Sequence, residues 1–141
     1  QPMTRIEFYV LPGDQPGERL QAACKLALKG WRNGLPVFLR GYDVQQCNEL
    51  DDLLWQFRTD TFVPHNLHSE EPLAPVVIGI NEVPAQANGL LINLAGDISP
   101  HLAQFQRIIE IIDQQPELLT VGRDNFRSYR QRGFDPRRVE L

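Results

Sequence analysis

The sequence runs to 141 residues, 42% hydrophobic and 23% charged, with a formal net charge of −4. A chain of that size and mix forms one water-soluble domain around a single core, unlike a disordered or fibrous protein, and an acidic molecule does not bind a phosphate backbone with its whole surface. No apolar run approaches the roughly 18 residues of a membrane span, and no basic-then-apolar leader follows the start.

Gln1-Pro2-Met3 reads as a short added remnant ending in the natural initiator Met3, with a single domain expected over residues 4–141. Arg5 to Leu11 alternates, is rich in β-formers and stops at Pro12-Gly13-Asp14, which predicts a strand and a turn. Between Glu18 and Asn33, Leu20, Ala23, Cys24, Ala27, Leu28 and Trp31 recur at spacings of three and four, one apolar stripe of a helix that ends at Asn33-Gly34. Pro36 to Leu39 is a short second strand. Asp43 is placed to cap a second helix carrying Cys47, Leu50, Leu53, Leu54 and Trp55.

From Thr59 to Pro75 periodicity disappears and Pro64, Pro72 and Pro75 mark a loop. Val76 to Ile80 and Leu90 to Leu94 are continuous apolar runs, the pattern of strands covered on both faces. Two helices are predicted to close the chain, His101 to Asp113 with Leu102, Phe105, Ile108, Ile109 and Ile112, and Glu117 to Gly133, entered at Pro116. This order predicts an α/β fold, a three-layer domain with a mostly parallel open sheet and helices on both faces. Cys24 and Cys47 fall in helical segments outside any C-x-x-C pair, as expected of buried free thiols in a reducing cytoplasm.

Such a fold invites a nucleotide at its first strand-to-helix turn. Here that turn is Leu11-Pro12-Gly13-Asp14-Gln15-Pro16-Gly17-Glu18: its two prolines remove two N–H donors, and Asp14 and Glu18 repel phosphate, so no nucleotide cofactor is expected. His65 and His68 lack further ligands at metal spacing apart from Glu70 and Glu71, and satisfied or exposed loop histidines are the simpler reading. No serine lies in G-x-S-x-G, and Asp51 and Asp52 point to different faces of a helix, so neither a catalytic set nor a metal site is expected.

Two surfaces remain. In Trp55 to Leu67 large apolar residues run past the end of a helix into loop, which suggests a protein interface or, alternatively, Trp55 and Phe62 folding back onto the core. In the last helix Arg123, Phe126, Arg127 and Arg130 stand at i, i+3, i+4 and i+7 and share one side. Six arginines from Arg123 to Arg138 face only Asp124, Asp135 and Glu140. Guanidinium groups beside an aromatic ring suit an acidic peptide with an apolar tip; the alternative is a core-facing Phe126 flanked by solvated arginines.

Phe8-Tyr9-Val10-Leu11, Trp31-Arg32-Asn33-Gly34, Leu54-Trp55 followed by Thr61-Phe62-Val63-Pro64-His65-Asn66-Leu67, and Arg123 through Tyr129-Arg130 to Gly133-Phe134 together resemble the chi subunit family of bacterial DNA polymerase III. The resemblance covers nearly the whole chain from Met3, and the Phe-Val-Pro-His-Asn-Leu stretch is its most specific part. It implies a Rossmann-like fold with no nucleotide cofactor and no catalytic activity. It also implies two partners, the psi subunit held by the clamp loader and the acidic C-terminal tail of single-stranded-DNA-binding protein, with DNA met only indirectly and neither membrane nor small-molecule substrate. Carried over by position, Arg123, Phe126 and Ile112 match the tail site, with Tyr129 and Arg130 as neighbours; Trp55, Phe62, Val63, Pro64, His65 and Asn66 match the psi contact. Phe126 departs from the tyrosine of relatives, which keeps a stacking surface and removes a hydroxyl.

Two other classes compete. A small α/β enzyme acting on an anionic metabolite would show a pocket of clustered ionisable groups, whereas an adaptor would show a shallow basic groove. A direct nucleic-acid binder using the arginine-rich helix is disfavoured by the acidic remainder.

Overall fold

Arg5–Val10 forms β1, with Ile6, Phe8 and Val10 buried on one face. The computed structural model describes residues 4–56, 65–67, 75–81 and 89–141. After β1 it places α1 (Pro16–Arg32), β2 (Val37–Arg40), α2 (Val44–Gln56), β3 (His65–Leu67), β4 (Val76–Gly79), β5 (Leu90–Asn93), β6 (Arg107–Ile112), α3 (Pro116–Gln131) and β7 (Arg137–Glu140). The seven strands make one sheet in the order β3-β4-β2-β5-β6-β1-β7, and every pairing is parallel. The three-layer α/β expectation holds, with a fully parallel sheet.

Every residue of β2, β4 and β5 is buried, because helices or turns cover both faces. On one face Ala23, Cys24, Ala27 and Leu28 of α1 and Cys47, Leu50 and Leu54 of α2 pack on Val37, Leu39, Ile78, Ile92 and Ile109. On the other, Tyr129 and Phe126 of α3, with Leu102 and Phe105 of a short turn, pack on Ile6, Phe8, Phe38, Leu91 and Ile108. Burial pushes the Cys24 thiol up to about 12, which makes it a core side chain rather than a nucleophile.

Asp43 caps α2 as expected: its Oδ1 accepts the Gln46 N–H at 2.8 Å, and Gln46 Oε1 accepts the Tyr42 N–H at 2.6 Å. Both α1 and α3 open on proline, at Pro16 and Pro116, where a missing N–H costs nothing.

The predicted helix over His101–Asp113 is wrong. Leu102–Gln104 is a single 3-10 turn, and Arg107–Ile112 is the strand between β5 and β1. Its isoleucines fit a helical spacing by accident. Burial on both faces of the sheet demands continuous apolar residues, and β-branched side chains favour the extended backbone. Within the segment read as loop, His65–Leu67 pairs with β4. Strand β7 had no sequence signal, since Arg137, Arg138 and Glu140 are exposed and charged as an outer strand requires.

Candidate binding groove

Helix α3 crosses the sheet near its β7 edge, and the space between them is a groove of about 450 Å³. Its floor is apolar: Phe8 and Val10 of β1, and Ile112 at the end of β6. Gly122 allows α3 to sit close, since a Cβ there would lie 2.9 Å from Ile112 Cδ1. Phe126 is half-buried, its ring centroid 5.3 Å from that of Phe8. Arg123, Arg127 and Arg130 of α3 and Arg138 of β7 supply the charge.

These cations differ in how they are held. Arg127 lies 3.9 Å from Asp124, and Arg138 donates to Glu140 at 2.9 Å; both are exposed pairs that a ligand carboxylate displaces at little cost. Arg130 lies 6.0 Å from the Phe126 ring centroid. Arg123 is exposed and, among the described residues, makes no ion pair. An apolar slot under exposed guanidinium groups, one without an ion pair among the described residues and two in exchangeable surface pairs, suits a carboxylate-bearing ligand with an apolar side chain.

Of the expected site residues the structure gathers Arg123, Phe126, Ile112 and Arg130 around the groove. Tyr129 is a correction: it is fully buried and lines no part of it. Its hydroxyl donates to Glu110 Oε2 at 2.7 Å and its ring packs on Phe8. The stripe that contacts the sheet passes through Tyr129, while Phe126, one turn earlier, reaches both core and groove. Phe8, Val10, Leu119, Gly122 and Arg138 are lining residues that sequence reasoning missed: strand pairing brings Phe8, Val10 and Arg138 beside α3, which no local spacing encodes, whereas Leu119 and Gly122 precede Phe126 on α3 by seven and four residues, a helical spacing that could have found them.

Glu110 belongs to a buried polar chain. Asn93 Nδ2 also donates to its Oε2 at 2.8 Å, and Asn93 Oδ1 accepts from Arg40, which is itself 1% exposed. Arg40 donates further to the Ile80 and Asp97 carbonyls and to the Asn81 and Asp97 side chains, tying the turns after β4 and β5 together. Desolvation pushes the Glu110 carboxyl up to about 7 against the pull of Tyr129, Asn93, Arg19 and Arg40.

The other expected surface lies at the far edge of the sheet. Trp55, at the end of α2, is 59% exposed and so does not fold back onto the core. Its ring meets that of His65 edge-on at 5.0 Å, and buried His65 places Nε2 3.3 Å from Asp51 Oδ1. Asn66 pairs its backbone with Val77 in β4. Phe62, Val63 and Pro64, like His68, Glu70 and Glu71, lie outside the described residues.

The carboxyl ends of the strands, where an α/β enzyme places its ligand, hold a cavity of about 580 Å³. Asp43, Glu49 and Glu117 line it. Its buried cation, Arg19, is already committed: Nε donates to the Ile111 carbonyl at 2.7 Å and a terminal nitrogen to that of Leu94 at 3.1 Å. Acidic walls around a spent guanidinium disfavour an anionic metabolite.

Fold and groove together define a Rossmann-like α/β domain that carries a basic, apolar-floored groove at one sheet edge and an exposed aromatic at the other. Over residues 3–137 the sequence matches the family model described as DNA polymerase III chi subunit, HolC, and the chain belongs to that family. It is 43% identical over 132 residues to the DNA polymerase III subunit chi of Pseudomonas aeruginosa, covering 94% of this chain and 93% of that protein. The proteins of the same name from Haemophilus influenzae and Escherichia coli K12 are 32% identical over 132 residues and 29% over 140; the chain covers 92% and 95% of their lengths, and 92% and 94% of its own residues align. Among solved structures it is similar in fold to T4 UvsW (TM-score 0.67, 12% identity, 98% of this chain) and to S. cerevisiae Dbp5 bound to Nup159 and Gle1 (TM-score 0.66, 9% identity, 97% of this chain). The chain spans only 41% and 42% of those two proteins, and the likeness is one of fold alone. Among the described residues no helix is long and apolar enough to cross a membrane.

Proposed function

We propose that this member of the chi family is a non-catalytic adaptor in DNA replication. It would join the clamp-loader assembly, through the psi subunit, to the acidic C-terminal tail of single-stranded-DNA-binding protein. The observation that carries the reading is the placement of its two surfaces at opposite edges of one sheet, Trp55 beside β3 and the arginine groove between α3 and β7. Six inter-strand steps separate those edges, on the order of 30 Å. Two partners can therefore sit on the domain together without contact. The groove suits the tail, because its arginines meet carboxylates and its Phe8, Val10 and Ile112 floor accepts an apolar end. Exposed Trp55 is an anchor of the kind that buries well in a partner.

The test separates the two surfaces. Trp55→Asp should lose co-elution with psi and keep the tail peptide, while Arg123→Ala should do the reverse, with circular dichroism confirming that both variants are folded. Loss of both partners in either folded variant, or of neither in both, rules the bridging arrangement out.

A further inference from the structure

The groove opens beside a sheet edge whose hydrogen-bonding groups point outward. Leu141 N–H donates to the Val10 carbonyl at 3.0 Å, and the parallel ladder sets Phe8 against Arg138 and Val10 against Glu140. Along a strand, successive residues turn their N–H and C=O groups to opposite sides. Arg137 and Val139, in phase with Leu141, therefore bond toward β1, and Arg138 and Glu140 turn N–H and C=O away from the sheet. Among the described residues no strand lies beyond β7. Arg138 also lines the groove, and Glu140, two residues on, shares its face.

We infer that β7 is a template: an acidic peptide segment docks in extended conformation as an eighth strand, bonding through its backbone to Arg138 and Glu140. This rests on the groove being an acidic-peptide site and specifies how the ligand lies there. An added strand sends alternate side chains to the two faces of the sheet. One set would reach the groove, where Arg123, Arg127, Arg130 and Arg138 receive carboxylates and the Phe8 and Ile112 floor receives an apolar side chain; the other set would pass exposed Arg137. The charge pattern selects an acidic occupant, since a basic strand or a second copy of β7 would bring arginine against arginine. The Glu140 carboxylate, held on Arg138 at 2.9 Å, is the group a ligand carboxylate must displace.

Two substitutions at one position isolate the backbone bond. Glu140→Gln removes the charge and keeps the outward N–H; Glu140→Pro removes both, and the pairing with β1 does not use that N–H. The probe is a fluorescein-labelled peptide, a run of aspartates ending in phenylalanine, followed by anisotropy on the full chain. Glu140→Gln, which removes the competing carboxylate, should bind up to about threefold better than the unmodified protein, and Glu140→Pro about fivefold or more weaker than Glu140→Gln. On the unmodified protein, peptide binding should slow amide exchange at Arg138 and Glu140 about tenfold or more, with little change at Val139, which is already bonded.

Unchanged exchange at Arg138 and Glu140, or equal affinities for the Gln and Pro variants, with binding still weakened about tenfold or more by Arg123→Ala, overturns the added strand and leaves the groove reading intact. Absence of binding to the unmodified protein overturns both. If Glu140→Pro fails to fold, the exchange measurement decides alone.

Discussion

The Tyr129 hydroxyl donates to Glu110 Oε2 at 2.7 Å, with both side chains buried where α3 meets β6. This bond ties α3 to β6 one turn beyond Phe126, alongside the packing of Phe126 and Tyr129 on Phe8. A carboxylate in that position would be costly alone, and Asn93 completes its coordination.

Tyr129→Phe removes the donor and leaves the ring packing against Phe8 and Phe134. We expect a loss of about 1–3 kcal/mol in unfolding free energy, measured by urea denaturation at neutral pH. An unchanged midpoint and slope would show that the bond does not hold the helix.

Stability should depend on pH through Glu110. Its folded-state pKa, about 7, lies above the ordinary 4.5, so between those values the folded protein keeps a proton that the unfolded chain has released. The stabilising contribution is complete below about pH 4.5, declines as pH rises, and is lost above about pH 7. Its full size is on the order of 3 kcal/mol. Glu110→Gln keeps an acceptor for Tyr129 and Asn93 and removes the titration. The wild-type-minus-variant difference in unfolding free energy should therefore fall between pH 4.5 and 7, and a flat or rising difference contradicts it.

Gly122→Ala opposes two effects. Helix propensity favours alanine by about 1 kcal/mol, while the new methyl lies 2.9 and 3.2 Å from Ile112 Cδ1 and Cγ2. Ile112 is only partly buried and can turn toward the groove, so we expect a stability change within about 1 kcal/mol. The apolar floor should shrink and tail-peptide affinity fall roughly three- to tenfold. Full affinity in this variant would mean that the ligand does not use the floor.

For the tail peptide itself, a short flexible ligand covering little area should bind with a Kd on the order of micromolar, about −8 kcal/mol. Arg123→Ala should cost roughly 1.5–3 kcal/mol, about 10- to 150-fold, and Arg137→Ala far less. Phe126→Ala should weaken binding with little change in salt dependence, because it removes apolar contact and keeps the charges. Anisotropy at two salt concentrations separates these cases. Equal small losses in all three variants would reduce the helix to a general electrostatic surface.

Local pattern was enough for α1, α2 and α3, for the Asp43 cap, for β2, β4 and β5, whose turn-bounded apolar runs are too short for a helix, and for the shared side of Arg123, Phe126, Arg127 and Arg130. Each depends on residues within a turn or two of one another, and spacing specifies which of them share a face. The tertiary structure alone decided that Ile108, Ile109, Ile111 and Ile112 lie in a strand, since a short apolar run suits either state until its neighbours bury both faces. It decided that Arg137–Glu140 pairs with β1, that Phe8 and Val10 floor a groove beneath α3, and that Tyr129 belongs to the core while Phe126 reaches the surface. Those outcomes depend on where a helix crosses a parallel sheet whose adjacent strands, β1 and β6, are about a hundred residues apart in the chain, and no spacing within one segment carries that distance.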